Sequence, residues 1–154
     1  MLSLWCTRIR VCLRIMELGL AIYTDGACHV NTKIGGIGIV FTKDNKLMNT
    51  YSKQFTNVTN NQMELLAVIY ALSAIKEANQ VIIYSDSQYV LGCITKGWKR
   101  KKNIELWHKF DEVYARILKV CPNIQFKWVK GHNTSVFNNM ADKLARESSN
   151  LINI

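Results

Sequence analysis

The stretch MELLAVIYALSAIKE (63–77), followed after three residues by VIIYS (81–85), decides the fold class. The first segment consists of strong helix formers whose apolar side chains run nearly all the way round, so it reads as a helix buried on more than one side. The second is a short continuous apolar run of the kind found in strands covered on both faces. Working upstream, LGLAIYT (18–24) reads as a strand, GGIGIVFT (35–42) as a second and KLMNTYSKQF (46–55) as a third. Lys43, Asp44 and Asn45 supply a polar hairpin turn between the last two. Residues 26–34 read as a loop, and TNVTNNQ (56–62) as a polar loop rich in helix-capping types. Downstream, residues 87–95 read as a short helix. Residues 103–119 carry apolar side chains at a helical period, and IQFKWV (124–129) is a last strand after Pro122. Residues 135–149 form a closing helix. A hairpin followed by strand–helix alternation predicts an α/β fold, a mixed sheet with helices on its faces.

The chain has 154 residues, enough for one domain with a full-sized core. Hydrophobic residues make up 49% and charged residues 20%, and no apolar run reaches the ~20 residues that span a bilayer. Residues 1–17 stand apart as an N-terminal extension, with Arg8, Arg10 and Arg14 scattered through apolar residues, a poor secretory signal. The domain itself is expected over 18–150. Five cysteines (Cys6, Cys12, Cys28, Cys93 and Cys121) show neither C-x-x-C nor zinc spacing, so reduced thiols in a cytoplasmic protein are expected. The net charge of +9 favours a polyanionic partner, nucleic acid before anionic membrane.

The acids are few and their placement is informative. Asp25 and Asp86 each follow an apolar strand, where ligand sites of α/β sheets lie. Glu64 is the only acid between Asp44 and Glu77 and opens the most apolar helix, so it either caps that helix or points into a site. Asp142 lies within MADKLA (140–145) of the closing helix. Taken singly, each reads equally well as a turn, cap or surface charge. If the four converge, their charges need a counter-charge. Hard divalent cations, Mg²⁺ or Mn²⁺, suit an all-oxygen set, and two such ions serve phosphodiester cleavage. His132, in the loop after the last strand, is a candidate for proton transfer. Residues 96–109 hold a net +5, including Lys99, Arg100, Lys101 and Lys102, with Trp98 and Trp107 beside them. Cations interleaved with aromatics are how proteins track a nucleic-acid backbone.

These residues, in this order, resemble the type 1 ribonuclease H family. The segments that carry the likeness are YTDGAC (23–28), TNNQMELLAV (59–68), YSDSQYV (84–90), NIELW (103–107), WVKGHN (128–133) and NNMADKLA (138–145). The resemblance implies a five-stranded mixed sheet with helices on both faces. It implies an endonuclease that hydrolyses the RNA strand of RNA/DNA hybrids with two Mg²⁺ or Mn²⁺ ions, leaving 5′-phosphate and 3′-hydroxyl ends. By that likeness Asp25, Glu64, Asp86 and Asp142 are the metal ligands, and His132 assists proton transfer or product release. Asn31, Asn60, Asn61 and Gln88 match hybrid-contacting positions in the minor groove, and Thr59 and Asn103 a pocket for a DNA-strand phosphate. Departures are Asn57 in place of a common arginine, Asn139 in place of a usual glutamate, and a stretch from Gln88 to Trp107 too short for the basic protrusion of longer bacterial enzymes. The cluster at 96–102 is then expected to be a reduced substitute for that protrusion. A monomer with no membrane partner is expected. Two alternatives stay open at this point: a catalytically silent nucleic-acid-binding module, and a ribonuclease H domain detached from a reverse transcriptase.

Overall fold

A computed structural model describes residues 20–76, 78–130 and 135–151. The expected extension at 1–17 and His132 lie outside the described residues. Three strands open the fold: β1 (Leu20–Cys28), β2 (Gly35–Lys43) and β3 (Lys46–Phe55). They form an antiparallel meander. Asp44 and Asn45 turn the second hairpin with positive φ angles of 48° and 64°, a conformation that Asp and Asn tolerate better than other side chains. After the helix α1 (Asn60–Ser73), β4 (Gln80–Ser85) pairs with β1 in parallel. The helices α2 (Gln88–Thr95) and α3 (Ile104–Leu118) precede β5 (Asn123–Trp128), and α4 (Val136–Ser149) closes the chain. The sheet order is β3-β2-β1-β4-β5, with β5 parallel to β4. The expected five-stranded mixed sheet is therefore present, with four helices among the described residues.

Side chains alternate across the sheet, and each face has its own cover. Leu20, Ile22, Ile37, Ile39, Val81 and Ile83 are buried in one apolar core with Met63, Leu65, Val68 and Leu72 of α1. Tyr23 points to the other face, where its ring stacks on Tyr84 at 4.7 Å and meets Phe137 of α4 at 5.7 Å. The face of α3 that is buried consists of Trp107, Phe110, Val113 and Ile117, a helical period.

The largest differences from the sequence reading lie at the end of β1 and at both ends of α1. β1 does not stop at Thr24; it continues to Cys28 because β2 keeps pairing with it, Asp25 against Gly38 and Cys28 against Gly35. The expected loop 26–34 shrinks accordingly to 29–34. The helix expected from residue 63 begins at Asn60, because the Thr59 hydroxyl accepts from the Gln62 backbone while the Gln62 side chain accepts from the Thr59 backbone, a reciprocal cap. That helix also ends at Ser73, four residues short of the expected end.

Candidate active site

β1 outruns β4. Their parallel register ends with Thr24 beside Ser85, which sets Asp25 in the strand and Asp86 just past its neighbour, side by side. Glu64 comes from α1. It is the fifth residue of that helix, too far in to cap it, and its side chain is buried. What lets α1 come so close is Gly26. A Cβ there would stand 2.4 Å from the Met63 carbonyl carbon and 2.5 Å from the Glu64 nitrogen, so any side chain would force the helix away. Carboxylate oxygens of Asp25, Glu64 and Asp86 consequently lie within 4.8 Å of one another.

The electrostatics of this cluster follow from its geometry. Burial, then the Asp86 charge, push the Asp25 carboxyl up to about 8. Burial, then the charges of Asp25 and Asp86, hold Glu64 well above the usual carboxylate range. Asp142, on α4, also acts on Asp25 through a side-chain hydrogen bond and its charge. Its own carboxylate is paired to Arg146 one helical turn on, Nη2 to Oδ2 at 2.9 Å. The structure thus brings together all four acids singled out from sequence. Asp25 also accepts the Gly26 N–H at 2.9 Å. Glu64 Oε2, by contrast, is buried with no hydrogen-bond partner. Buried carboxylates that repel one another and keep an orphaned oxygen fit a hard divalent cation, which takes oxygen donors.

Around the cluster the other expected residues fall into place unevenly. Asn31 is exposed in the turn after β1, Asn60 and Asn61 are exposed in the first turn of α1, and Gln88 is exposed at the start of α2. Thr59 and Asn103 are linked through a residue that the sequence reading passed over. Gln62 caps Thr59 and donates to Asn103 Oδ1 at 3.3 Å. Asn103, in a left-handed conformation (φ 59°), donates in turn to the Tyr89 hydroxyl, which also receives the Trp107 indole N–H at 3.0 Å. Gln62 was legible as the fourth residue of a T-x-x-Q capping pattern; nothing in the sequence signalled Tyr89.

The basic segment divides. Lys99, Lys101 and Lys102 are exposed. Arg100 is not free in the same way: its Nη1 donates to both carboxylate oxygens of Asp111 at 2.8 Å, and its guanidinium lies 4.3 Å from the centre of the Trp107 ring. It staples the segment to α3, so the guanidinium is held by Asp111 while the neighbouring lysines are exposed. A cavity of about 370 Å³ opens beside the acids, lined by Gly26, Cys28, His29, Asn60, Asp142 and Arg146 among others.

Comparison with known proteins bears on this arrangement directly. The family model described as RNase H matches residues 18–150. The ribonuclease H of Desulforamulus reducens is 39% identical over 135 residues, which cover 82% of this chain and 84% of the relative. That of Shewanella halifaxensis is 42% identical over 143 residues, 84% of this chain and 85% of the relative. Among solved structures, LC11-RNase H1 in complex with an RNA/DNA hybrid superposes with a TM-score of 0.69 at 27% identity, covering 84% of this chain and 95% of that one. The N-terminal RNase H domain of a Mycobacterium tuberculosis protein, at 20% identity, shares the fold with a TM-score of 0.73 over 86% of this chain and 94% of its own. The family match spans β1 to α4, the same elements that bring the four acids together, and the chain belongs to the ribonuclease H family of divalent-metal-dependent nucleases.

Proposed function

We propose that the protein is an endonuclease that hydrolyses the RNA strand of RNA/DNA hybrids with two Mg²⁺ or Mn²⁺ ions, giving 5′-phosphate and 3′-hydroxyl ends. The observation that carries this reading is the set of carboxylates within 4.8 Å, with an orphaned buried oxygen, on a chain of net charge +9. A surface built to bind phosphate gains nothing from clustered acids, which repel it; they are useful there only with cations. Asp25, Glu64, Asp86 and Asp142 would hold the metal. When bound, two such ions supply a water activated for attack and a counter-charge for the leaving oxygen.

The protein's own contribution is placement. β1 and β4 fix two carboxylates at adjacent positions, α1 supplies the third through the gap at Gly26, and Arg146 restrains Asp142. Asn31, Asn60, Asn61 and Gln88 present short polar side chains suited to the minor groove of a hybrid, where 2′-hydroxyls are displayed. Thr59, Gln62 and Asn103 form the pocket for a DNA-strand phosphate. His132 moves a proton or aids release of product. The hybrid seen with LC11-RNase H1 supports the substrate. All four acids come from one chain, which supports a monomer. The free thiols of Cys28, Cys93 and Cys121 support a cytoplasmic setting. No helix among the described residues is long and apolar enough to cross a membrane.

The test is a hybrid labelled on one strand at a time. Mg²⁺-dependent cuts confined to the RNA strand are expected; cutting of the DNA strand, or equal cutting without metal, would overturn the proposal. A second measurement addresses the basic segment. Replacing Lys99, Lys101 and Lys102 together by Gln should raise KM, leave kcat nearly unchanged, and flatten the log–log salt dependence of hybrid binding by about 1–3 units, at ~0.9 per phosphate contact. An unchanged slope would place these lysines away from the hybrid.

A further inference from the structure

A groove of about 360 Å³ runs between α2 and β5, lined by Gln88, Leu91, Gly92, Trp98, Phe126 and Trp128 among others. Its volume is within the ~300–1,000 Å³ of ligand pockets. Two tryptophans thirty residues apart in sequence share it, and both keep about half of their surface exposed, Trp98 47% and Trp128 49%. Trp98 lies on the helix only because residue 92 has no side chain: a Cβ on Gly92 would stand 2.1 Å from the indole. The Lys96 ammonium sits over the same ring at 5.7 Å. At the other wall, the Trp128 indole N–H donates to the Asp86 backbone carbonyl at 3.2 Å. The groove therefore adjoins the carboxylate cluster, and Gln88, two residues past Asp86, lies in it.

Exposed indoles beside a lysine are the chemistry that holds unpaired bases. A free base offers its π-face for stacking, and the cation answers the phosphate that follows it. Bases within a duplex are already stacked and cannot enter. We propose that this groove receives an unpaired nucleotide of the RNA strand as that strand leaves the hybrid beside Asp86. The inference rests on the proposed function, because it takes the strand nearest the acids to be the RNA. Charge favours this occupant: Lys96 lines the groove, exposed Lys99, Lys101 and Lys102 follow in the same segment, and among the described residues no acid lines the groove.

The experiment compares a blunt hybrid with hybrids carrying about four unpaired nucleotides on the 5′ or 3′ end of the RNA strand, or on the DNA strand. Dissociation constants are measured in a cleavage-dead Asp25→Asn background with Mg²⁺ present. One RNA overhang is expected to tighten binding about tenfold, within the range that one stacked base contributes. The overhang-to-blunt ratio should fall to near one in Trp98→Ala and in Trp128→Ala. It should be largely kept in Trp128→Phe, which retains the ring and loses the indole N–H. Taking the ratio within each variant cancels any general effect of the substitution. No gain from either RNA overhang, an equal gain from DNA overhangs, or a gain that survives both alanine variants would overturn the proposal. Cleavage of the blunt hybrid by the unsubstituted protein is scored in parallel: its absence would sink the functional reading itself, while cleavage without an overhang effect would sink only the groove.

Discussion

Asp25→Asn is expected to lose Mg²⁺-dependent cleavage by at least ~10³-fold and yet to melt higher than the parent at pH 8 without metal. The loss follows from removing one carboxylate of a site whose cations would supply several kcal/mol of transition-state stabilisation, at ~1.4 kcal/mol per tenfold in rate. The gain in stability follows from the sign of the shift at Asp25. Burial and the Asp86 charge raise its folded-state value to about 8, above the ordinary carboxylate value of 3.8 that the unfolded chain keeps. The native state then binds the proton more tightly, so stability falls as pH rises through that interval. Below pH 4 parent and variant should melt alike, because a protonated Asp25 is neutral, as Asn is. Toward pH 8 the variant should pull ahead, and relief of ~1–2 kcal/mol corresponds to ~2–8 °C in Tm for a chain of this size. Added Mg²⁺ should raise the parent's Tm, by ~2.7 kcal/mol of stability at a hundredfold excess over Kd, and the variant's much less. Thermal melts by circular dichroism from pH 4 to 8, with and without Mg²⁺, check both signs. A parent that gains on the variant as pH rises would refute the repulsion on which the metal site is argued.

A single methyl group at Gly38 should lower both stability and activity. Gly38 pairs with Asp25 across the β1–β2 ladder, and α4 lies directly on it. A Cβ there would stand 2.2 Å from the Ala141 carbonyl oxygen and 2.7 Å from the Ala145 nitrogen, both backbone atoms. Neither can rotate away, so the helix itself must lift, and Asp142 next to Ala141 lifts with it. Overpacking of this kind costs ~1–3 kcal/mol, or ~2–12 °C in Tm. If Asp142 holds metal as proposed, its displacement by a fraction of an ångström to an ångström should cost a further ~10–10²-fold in kcat. Gly35→Ala is the internal comparison. Its Cβ would meet side-chain atoms of Met63 and Val58, each at 2.7 Å or more, and none of the α4 backbone, so it should leave the seating of α4 unchanged. If Gly38→Ala keeps full kcat well below its Tm, Asp142 does not depend on the seating of α4.

What the sequence disclosed and what it hid divide along a physical line. Local periodicity and turn chemistry marked the five strands and four helices, because alternation, helical period and turn residues are written along the chain itself. The four acids stood out as polar residues against apolar runs, and that contrast is itself a local signal. Strand lengths were misjudged where pairing rather than composition decides them: Asp25 to Cys28 are polar and small, and they stay in the sheet only because β2 continues beside them. The role of Arg100 was hidden because its partner, Asp111, lies eleven residues away on another element. Trp128 read as one more strand residue; only the folded chain sets it opposite Trp98.

The Thr24 hydroxyl donates to the Tyr84 carbonyl at 2.9 Å across sixty residues of chain, beside the one pairing that makes Asp25 and Asp86 neighbours. Nothing nearer in sequence brings those charges together. A chain on its way to the native state therefore meets their repulsion only when this long parallel closure is made, after the local hairpin and helices have had the chance to form. Repulsion that is absent until the last contacts close acts on the escape from the native state more than on the approach to it. In kinetic terms, repulsion that acts only once this closure is made would shorten the life of the cation-free folded molecule, and a divalent ion bound between the acids would act as a latch that slows unfolding.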